Sequence, residues 1–190
     1  MSDPNPFETL YRQNPDPWNF ATSPYERDKY AATLAALPHR PIRRCFEVGC
    51  SIGVLTRHLA ARCDSLLGID VADTALTQAR HRCADLQNVT LDRMAIPHEW
   101  PPGSFDLIVF SEVLYYLTHD AIHRAARQTL ASLDPTGLVL LVNWHGETGG
   151  TCSGDQAASR FIDAASPLQT LHHHRTEKYR LDLLGQRPAS

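Results

Sequence analysis

The chain has 190 residues, 43% of them apolar and 21% charged, which is the composition of an ordinary globular domain long enough to bury a substantial core. A formal charge of −3, with acids and bases interspersed, gives no electrostatic reason to expect nucleic acid as a partner. Five cysteines form no CxxC pair and leave one over, which reads as reduced thiols in a cytoplasmic protein. The polar, proline-rich opening MSDPNPFETLYRQNPDPW does not read as a signal peptide, and no apolar run is long enough for a membrane span.

Pro4, Pro6, Pro15 and Pro17 predict an irregular first seventeen residues. A helix follows, with Ser23 as N-cap, Pro24 at N1 and Glu26 closing a capping box; Tyr30, Leu34 and Leu37 face the core and Pro38 ends it. Patterns then alternate. Cys45–Val48 is a strand and Ile52–Arg62 a helix; Ser65–Asp70 is a strand and Asp73–Cys83 a helix capped by Asp73. Val89–Arg93 and the apolar Asp106–Ser111 are strands, His119–Leu133 is an amphipathic helix, and Thr136-Gly137 turns into the strand Leu138–Asn143. Strands without polar alternation, separated by helices, belong to a mostly parallel sheet covered on both faces, a doubly wound α/β fold. The tail adds a short helix around Gln156–Ala165 and an antiparallel hairpin, Gln169–Arg175 with Lys178–Gln186. No repeat or second domain is visible, so one domain over 1–190 is expected, with 1–38 as an N-terminal lid segment and 39–190 as core.

The chemistry lies in Glu47-Val48-Gly49-Cys50-Ser51-Ile52-Gly53. A dinucleotide turn reads G-x-G-x-x-G, its middle glycine admitting a pyrophosphate; here Ser51 stands in that place, which argues against NAD or FAD. No Gly-Lys-Ser/Thr follows, so this is no Walker loop. Glu47 repels phosphate and can accept from an ammonium. Gly49 and Gly53 let the backbone approach a ribose or amino-acid moiety, or pack the helix on the strand. Asp70, closing the second strand, is placed to take both ribose hydroxyls.

This turn and acid resemble the S-adenosylmethionine site of class I methyltransferases, as do Phe105-Asp106-Leu107-Ile108 and Ser111-Glu112 at the fourth strand. The resemblance implies cofactor contacts from Glu47, Gly49, Cys50, Gly53, Asp70 and Ser111. The family often has an acid after strand three for the adenine amine. Here Ala95 occupies that place, leaving adenine to backbone groups of Met94 and Ala95 and to packing by Val71, Met94 and Ile96. DPWNFATSPYERDKY (Asp16–Tyr30) and SEVLYYL (Ser111–Leu117) resemble nodulation protein S, a family that N-methylates the free amine of a de-N-acetylated chitooligosaccharide. That resemblance implies a lid in which Trp18 and Tyr25 face the sulfonium and Arg27 pairs with the methionine carboxylate.

Trp144-His145-Gly146-Glu147-Thr148-Gly149-Gly150 departs from the family and should line the acceptor pocket. Candidates for handling the acceptor's proton are Glu112, Tyr115, His119 and His145. His145 follows a strand end beside Trp144, which could stack on a sugar; Glu112 orients substrate or cofactor; adjacent Tyr115 and Tyr116 should point apart; His119 helps cap its helix. In His172-His173-His174 only the outer two share a strand face and no further ligand has metal spacing, so no metal is expected. The expected function is methyl transfer from S-adenosylmethionine to an amine of a small molecule or amino sugar. The alternatives are O-methylation of another small metabolite, or binding of the cofactor without turnover. No nucleic acid or membrane partner is expected, and the sequence does not set the oligomeric state.

Overall fold

The computed structural model describes residues 5–186. Two helices come first. α1 (Pro6–Gln13) starts with Asn5 as N-cap and Pro6 at N1, so part of the stretch expected to be irregular is helical; Pro4 lies outside the described residues. The proline that looked disruptive sits at the one helical position that needs no N–H donor. α2 (Pro24–Ala35) has Ser23 as N-cap and Pro24 at N1 as expected, the Ser23 hydroxyl accepting from the Glu26 N–H, but the expected capping box does not close: the Ser23 N–H donates to the Asn19 carbonyl and the Glu26 carboxylate accepts from Lys29 instead. Its buried face runs through Glu26, Lys29, Tyr30 and Thr33, while Leu34 is only half-buried.

The remaining elements are β1 (Ile42–Val48), α3 (Val54–Ala60), β2 (Cys63–Asp70), α4 (Asp73–Arg82), β3 (Val89–Arg93), β4 (Phe105–Ser111), α5 (His119–Ser132), β5 (Leu133–Trp144), α6 (Gly154–Ala164), β6 (Gln169–Arg175) and β7 (Tyr179–Gly185). A 3-10 turn, Leu114–Tyr116, follows β4. The strands form one sheet in the order β3-β2-β1-β4-β5-β7-β6, parallel except where β7 pairs with β5 and with β6. β1 and β2 begin earlier than their apolar runs. Arg43 and Arg44 open β1 on the exposed rim, where their backbone N–H groups donate to Asp106. The turn expected at Thr136-Gly137 lies inside β5, whose register against β4 shifts there.

α2 and α3 cover one face of the sheet through Tyr30, Leu37, Leu55 and Leu59. α5 and α6 cover the other through Ile122, Ala125, Ala126, Ala157 and Phe161. Asp73 does not cap α4: its side chain makes no cap bond, and Glu8 of α1 accepts from the Thr74 N–H at 3.1 Å instead. The charge of Glu8 thus sits at the positive end of α4 and ties α1 to the core. Thr118 rather than His119 caps α5; the His119 ring is exposed. Among the described residues no helix is long and apolar enough to cross a membrane.

The strand order reverses between β1 and β4, and in open α/β sheets that is where the carboxyl ends of the strands leave a crevice. α1, α2 and the segment between them lie over it.

Candidate active site

The crevice is a cavity of about 380 Å³ at the ends of β1, β2, β4 and β5. Its floor is the glycine turn. Gly49 adopts φ +79°, and a Cβ there would collide with the Val113 side chain, so only glycine fits. The Gly49 and Cys50 N–H groups donate to the Ile69 carbonyl, which fixes the turn against β2. Asp70 closes β2 with its carboxylate pinned by the Ser51 N–H at 3.0 Å and the Ala72 N–H at 2.9 Å. Burial raises its pKa, opposed by the backbone donors of Ala72, Ser51 and Val71. Each oxygen keeps capacity to accept from a ligand.

Eight of the chain's fifteen aromatic residues line this one cavity. Tyr11, Trp18 and Phe20 form one wall, Trp18 stacking on Phe20 at 5.4 Å and meeting Tyr11 edge-on. Tyr25 and Trp144 form another, their centroids 5.7 Å apart. Phe7 of α1 packs edge-on against Tyr116. The only Lys or Arg among the lining residues is Lys29, against the carboxylates of Glu26, Asp70, Glu112 and Glu147. Faces of aromatic rings and an excess of carboxylates suit a planar, cationic ligand and disfavour phosphate.

Lys29 and Glu26, which the sequence did not mark as site residues, organise the end of the cavity beside Trp144. The Lys29 ammonium donates to Glu112 Oε1 at 2.6 Å and to Glu26 Oε1 at 3.0 Å, and its side chain is 2% exposed. Burial pulls its pKa down, but Glu112 and Glu26 outweigh this and the net shift is upward. Glu112 Oε2 accepts from the Tyr115 hydroxyl at 2.9 Å and the Trp144 N–H at 2.8 Å. Glu112 itself holds φ +59°, a conformation costly for a non-glycine residue and found where a site fixes its geometry.

The structure brings Trp18, Tyr25, Gly49, Asp70, Val71, Met94, Ile96, Ser111, Glu112 and Tyr115 to the cavity wall and puts six other candidates, Arg27, Glu47, Cys50, Gly53, Ala95 and His145, elsewhere. Arg27 lies on the solvent face of α2, its side chain 76% exposed near Asp28. His145 turns away because it follows Trp144 on an extended strand. Trp144 faces the cavity, so His145 faces α6, with Nδ1 3.2 Å from Asp155. Cys50 points beneath the turn into an apolar cluster with Leu76, Ala79 and Leu91. Gly53, at φ +80°, packs on Ala79 of α4 and does not line the cavity. The Ala95 N–H donates to Glu99 at 2.6 Å and the Met94 N–H to the Asp70 carbonyl, so neither amide is free for an adenine ring. Tyr115 and Tyr116 do not point apart. The 3-10 turn places both rings at the cavity, 4.6 Å between centroids. On β6 it is the middle histidine, His173, that is paired, at 2.7 Å from Asp182. No group of three His, Cys, Asp or Glu among the described residues is arranged to hold a metal.

Glu47 lies directly under the turn, 1% exposed, accepting from the Thr56 hydroxyl at 2.7 Å. Burial pushes its pKa up to about 7 from an ordinary 4.5. A group with a raised folded pKa contributes stability below its unfolded value and loses it as pH rises through the folded one. Glu47→Gln is therefore expected to flatten the fall in unfolding free energy between pH about 4.5 and about 7, measured by urea titration. An unchanged slope across that window would show that Glu47 is not the buried titrating group.

This sheet, its crevice and its antiparallel C-terminal strands are the architecture of class I S-adenosylmethionine-dependent methyltransferases. The model of the family described as nodulation protein S matches residues 9–142, and the chain belongs to that family. It is 33% identical over 141 residues to nodulation protein S of Sinorhizobium fredii, covering 72% of this chain and 65% of that protein. Against nodulation protein S of Rhizobium tropici it is 36% identical, covering 64% of this chain and 52% of that protein; the chain thus spans one-half to two-thirds of these relatives' length. A solved Pseudomonas syringae protein described as a candidate methyltransferase is 37% identical, with TM-score 0.76 over 85% of this chain and 99% of its own. An N-methyltransferase of the family from Bradyrhizobium japonicum, solved with S-adenosyl-L-homocysteine, has TM-score 0.83 over 96% of this chain and 98% of its own. At 24% identity this shows shared fold alone.

Proposed function

We propose that this chain is an S-adenosylmethionine-dependent methyltransferase that methylates an amine of a small molecule or amino sugar. The observation that carries the reading is one cavity holding the Gly49 turn, the pinned Asp70 carboxylate and an aromatic, carboxylate-rich wall. The residues present fit the cofactor: Asp70 offers acceptors for ribose hydroxyls, Val71, Met94 and Ile96 offer an apolar slot for a base, and Trp18 offers a ring face to a cation, whereas the Tyr25 ring already carries the ammonium groups of Lys29 and Lys178 at 5.3 and 5.0 Å. A cation–π contact of that kind contributes about 0.5–2 kcal/mol. When bound, the cofactor supplies an electrophilic methyl group on a sulfonium centre.

Ser111 sits at the end of β4, beside the fixed Glu112 carboxylate and Tyr115, and together they shape the acceptor end of the cavity. Within the expected lid segment, residues 5–38 serve to exclude water, α1 and α2 being held down through Glu8 and Lys29. The acceptor enters between α2 and the 144–148 loop, where Trp144 offers a face for a sugar ring. The five free cysteines fit a cytoplasmic setting.

The test has two arms. Calorimetry should show binding of S-adenosylhomocysteine by the wild-type chain. Labelled S-adenosylmethionine, offered with chitooligosaccharides with and without one free amine and with hydroxyl-only acceptors, should label only those carrying the amine. Equal labelling of acetylated and de-N-acetylated sugars would remove the amine assignment.

A further inference from the structure

The acceptor end of the cavity contains three buried charges, one positive and two negative. Glu112 accepts three hydrogen bonds: Lys29 donates to Oε1, and the Tyr115 hydroxyl and Trp144 N–H donate to Oε2. Glu26 accepts fewer. It is 6% exposed and lines the cavity, and only its Oε1 receives a well-formed bond from Lys29. Its Oε2 lies 2.9 Å from the same ammonium but receives no hydrogen bond from any group. In a low-dielectric pocket one ammonium balances one carboxylate, so the surplus negative charge falls on the carboxylate with the fewest donors.

We propose that Glu26 is the proton acceptor for the amine substrate, a catalytic residue that rests on the methyltransferase reading above. An amine at neutral pH arrives as an ammonium, whose nitrogen has no free lone pair. The Glu26 carboxylate takes one N–H proton and becomes a carboxylic acid, and the N–H bonding pair becomes the lone pair of the neutral amine. That pair forms the nitrogen–methyl bond while the carbon–sulfur pair stays on sulfur, and the product leaves as a methylated ammonium. Protonation of Glu26 brings the cluster to the balanced Lys29–Glu112 pair, so the pocket has room for one added positive charge.

The groups facing Glu26 agree with this. Burial raises its pKa; Lys29 beside it pulls the other way, while Glu112 from the end of β4 and Asp16 from the segment before α2 add to the rise. Tyr25 and Tyr30 also face it, with pKa values pushed further up by burial, so they stay neutral. Other candidates lack the position. The Tyr115 hydroxyl is committed as a hydrogen-bond donor to Glu112, Glu147 is exposed, and Asp70 is pinned by the amides of Ser51 and Ala72.

The test uses the full chain and Glu26→Gln, which keeps the shape and the Lys29–Glu112 pair and so is expected to fold. S-adenosylhomocysteine affinity should stay within about threefold of wild type. With a de-N-acetylated chitooligosaccharide, kcat/KM at neutral pH should fall about 10²–10³-fold. The loss should shrink as pH rises and the free amine becomes abundant, and Glu26→Asp should restore part of the rate. A loss that is the same at every pH, or no loss, overturns the assignment while leaving the methyltransferase reading intact. Absence of turnover with every amine while S-adenosylhomocysteine binds also overturns it. Failure of wild type to bind S-adenosylhomocysteine removes the methyltransferase reading itself.

Discussion

Lys29→Met is expected to lower the unfolding free energy by about 3–5 kcal/mol at pH 8, the cost of leaving buried carboxylates without their cation. For a chain of this length that corresponds to a fall in Tm of roughly 6–20 °C. The Lys29 side chain is 2% exposed and those of Glu26 and Glu112 are 8% and 13% exposed, so solvent screens the cluster poorly. The methionine replaces the aliphatic stem, so lost packing contributes little and the effect reports charge. Its pH dependence has a definite sign. Glu26 already has a raised folded pKa from burial, and removing Lys29 raises it further. Such a group is least costly when protonated, so the variant should regain stability as pH falls through the acidic range and lose it as pH rises. Lys29→Met combined with Glu112→Gln should recover part of the loss, because the second change removes one of the orphaned charges. A single variant within about 1 kcal/mol of wild type at pH 8 would show that the cluster is not energetically coupled.

The same cluster shows what a sequence hides. The glycine turn, Asp70 and the apolar strands are local patterns, and each was legible because a tight turn or a covered strand constrains neighbouring residues directly. Lys29 reads as a solvated charge on an ordinary helix. Its partner Glu112 lies 83 positions away, and only the fold brings them to 2.6 Å. One signal was available: Glu26, Lys29 and Thr33 share the helical face of Tyr30, and charges on a buried face require partners. α1 was hidden by its prolines, although Asn5 before Pro6 is a legitimate helix start. His145 was misplaced by a single strand step, which turns a side chain to the opposite face. Choosing between Trp144 and His145 needed knowledge of which face the helix α2 covers, and that is a property of the whole sheet.

Replacing Asp70 by alanine should weaken S-adenosylhomocysteine binding by about 10²-fold or more, since each hydrogen bond to a charged acceptor is worth about 1.5–3 kcal/mol and two are expected. The geometry makes this carboxylate a prepared acceptor. The Ser51 and Ala72 N–H groups fix both oxygens at 3.0 and 2.9 Å, so little ordering remains to be done when a ligand arrives. The Tyr11 hydroxyl bonds the Ser51 side chain above it, which keeps the turn from opening. The alanine variant also orphans the two backbone donors, so a loss of affinity alone could come from a loosened turn. Cofactor products lacking the 2′- or 3′-hydroxyl separate the two causes. Wild type should bind each of them about tenfold or more weaker than the full ribose. Asp70→Ala should bind all three alike, because the group that reads the hydroxyls is gone. If wild type fails to distinguish ribose from deoxyribose, Asp70 is a structural brace for the turn and the ribose is held by other groups.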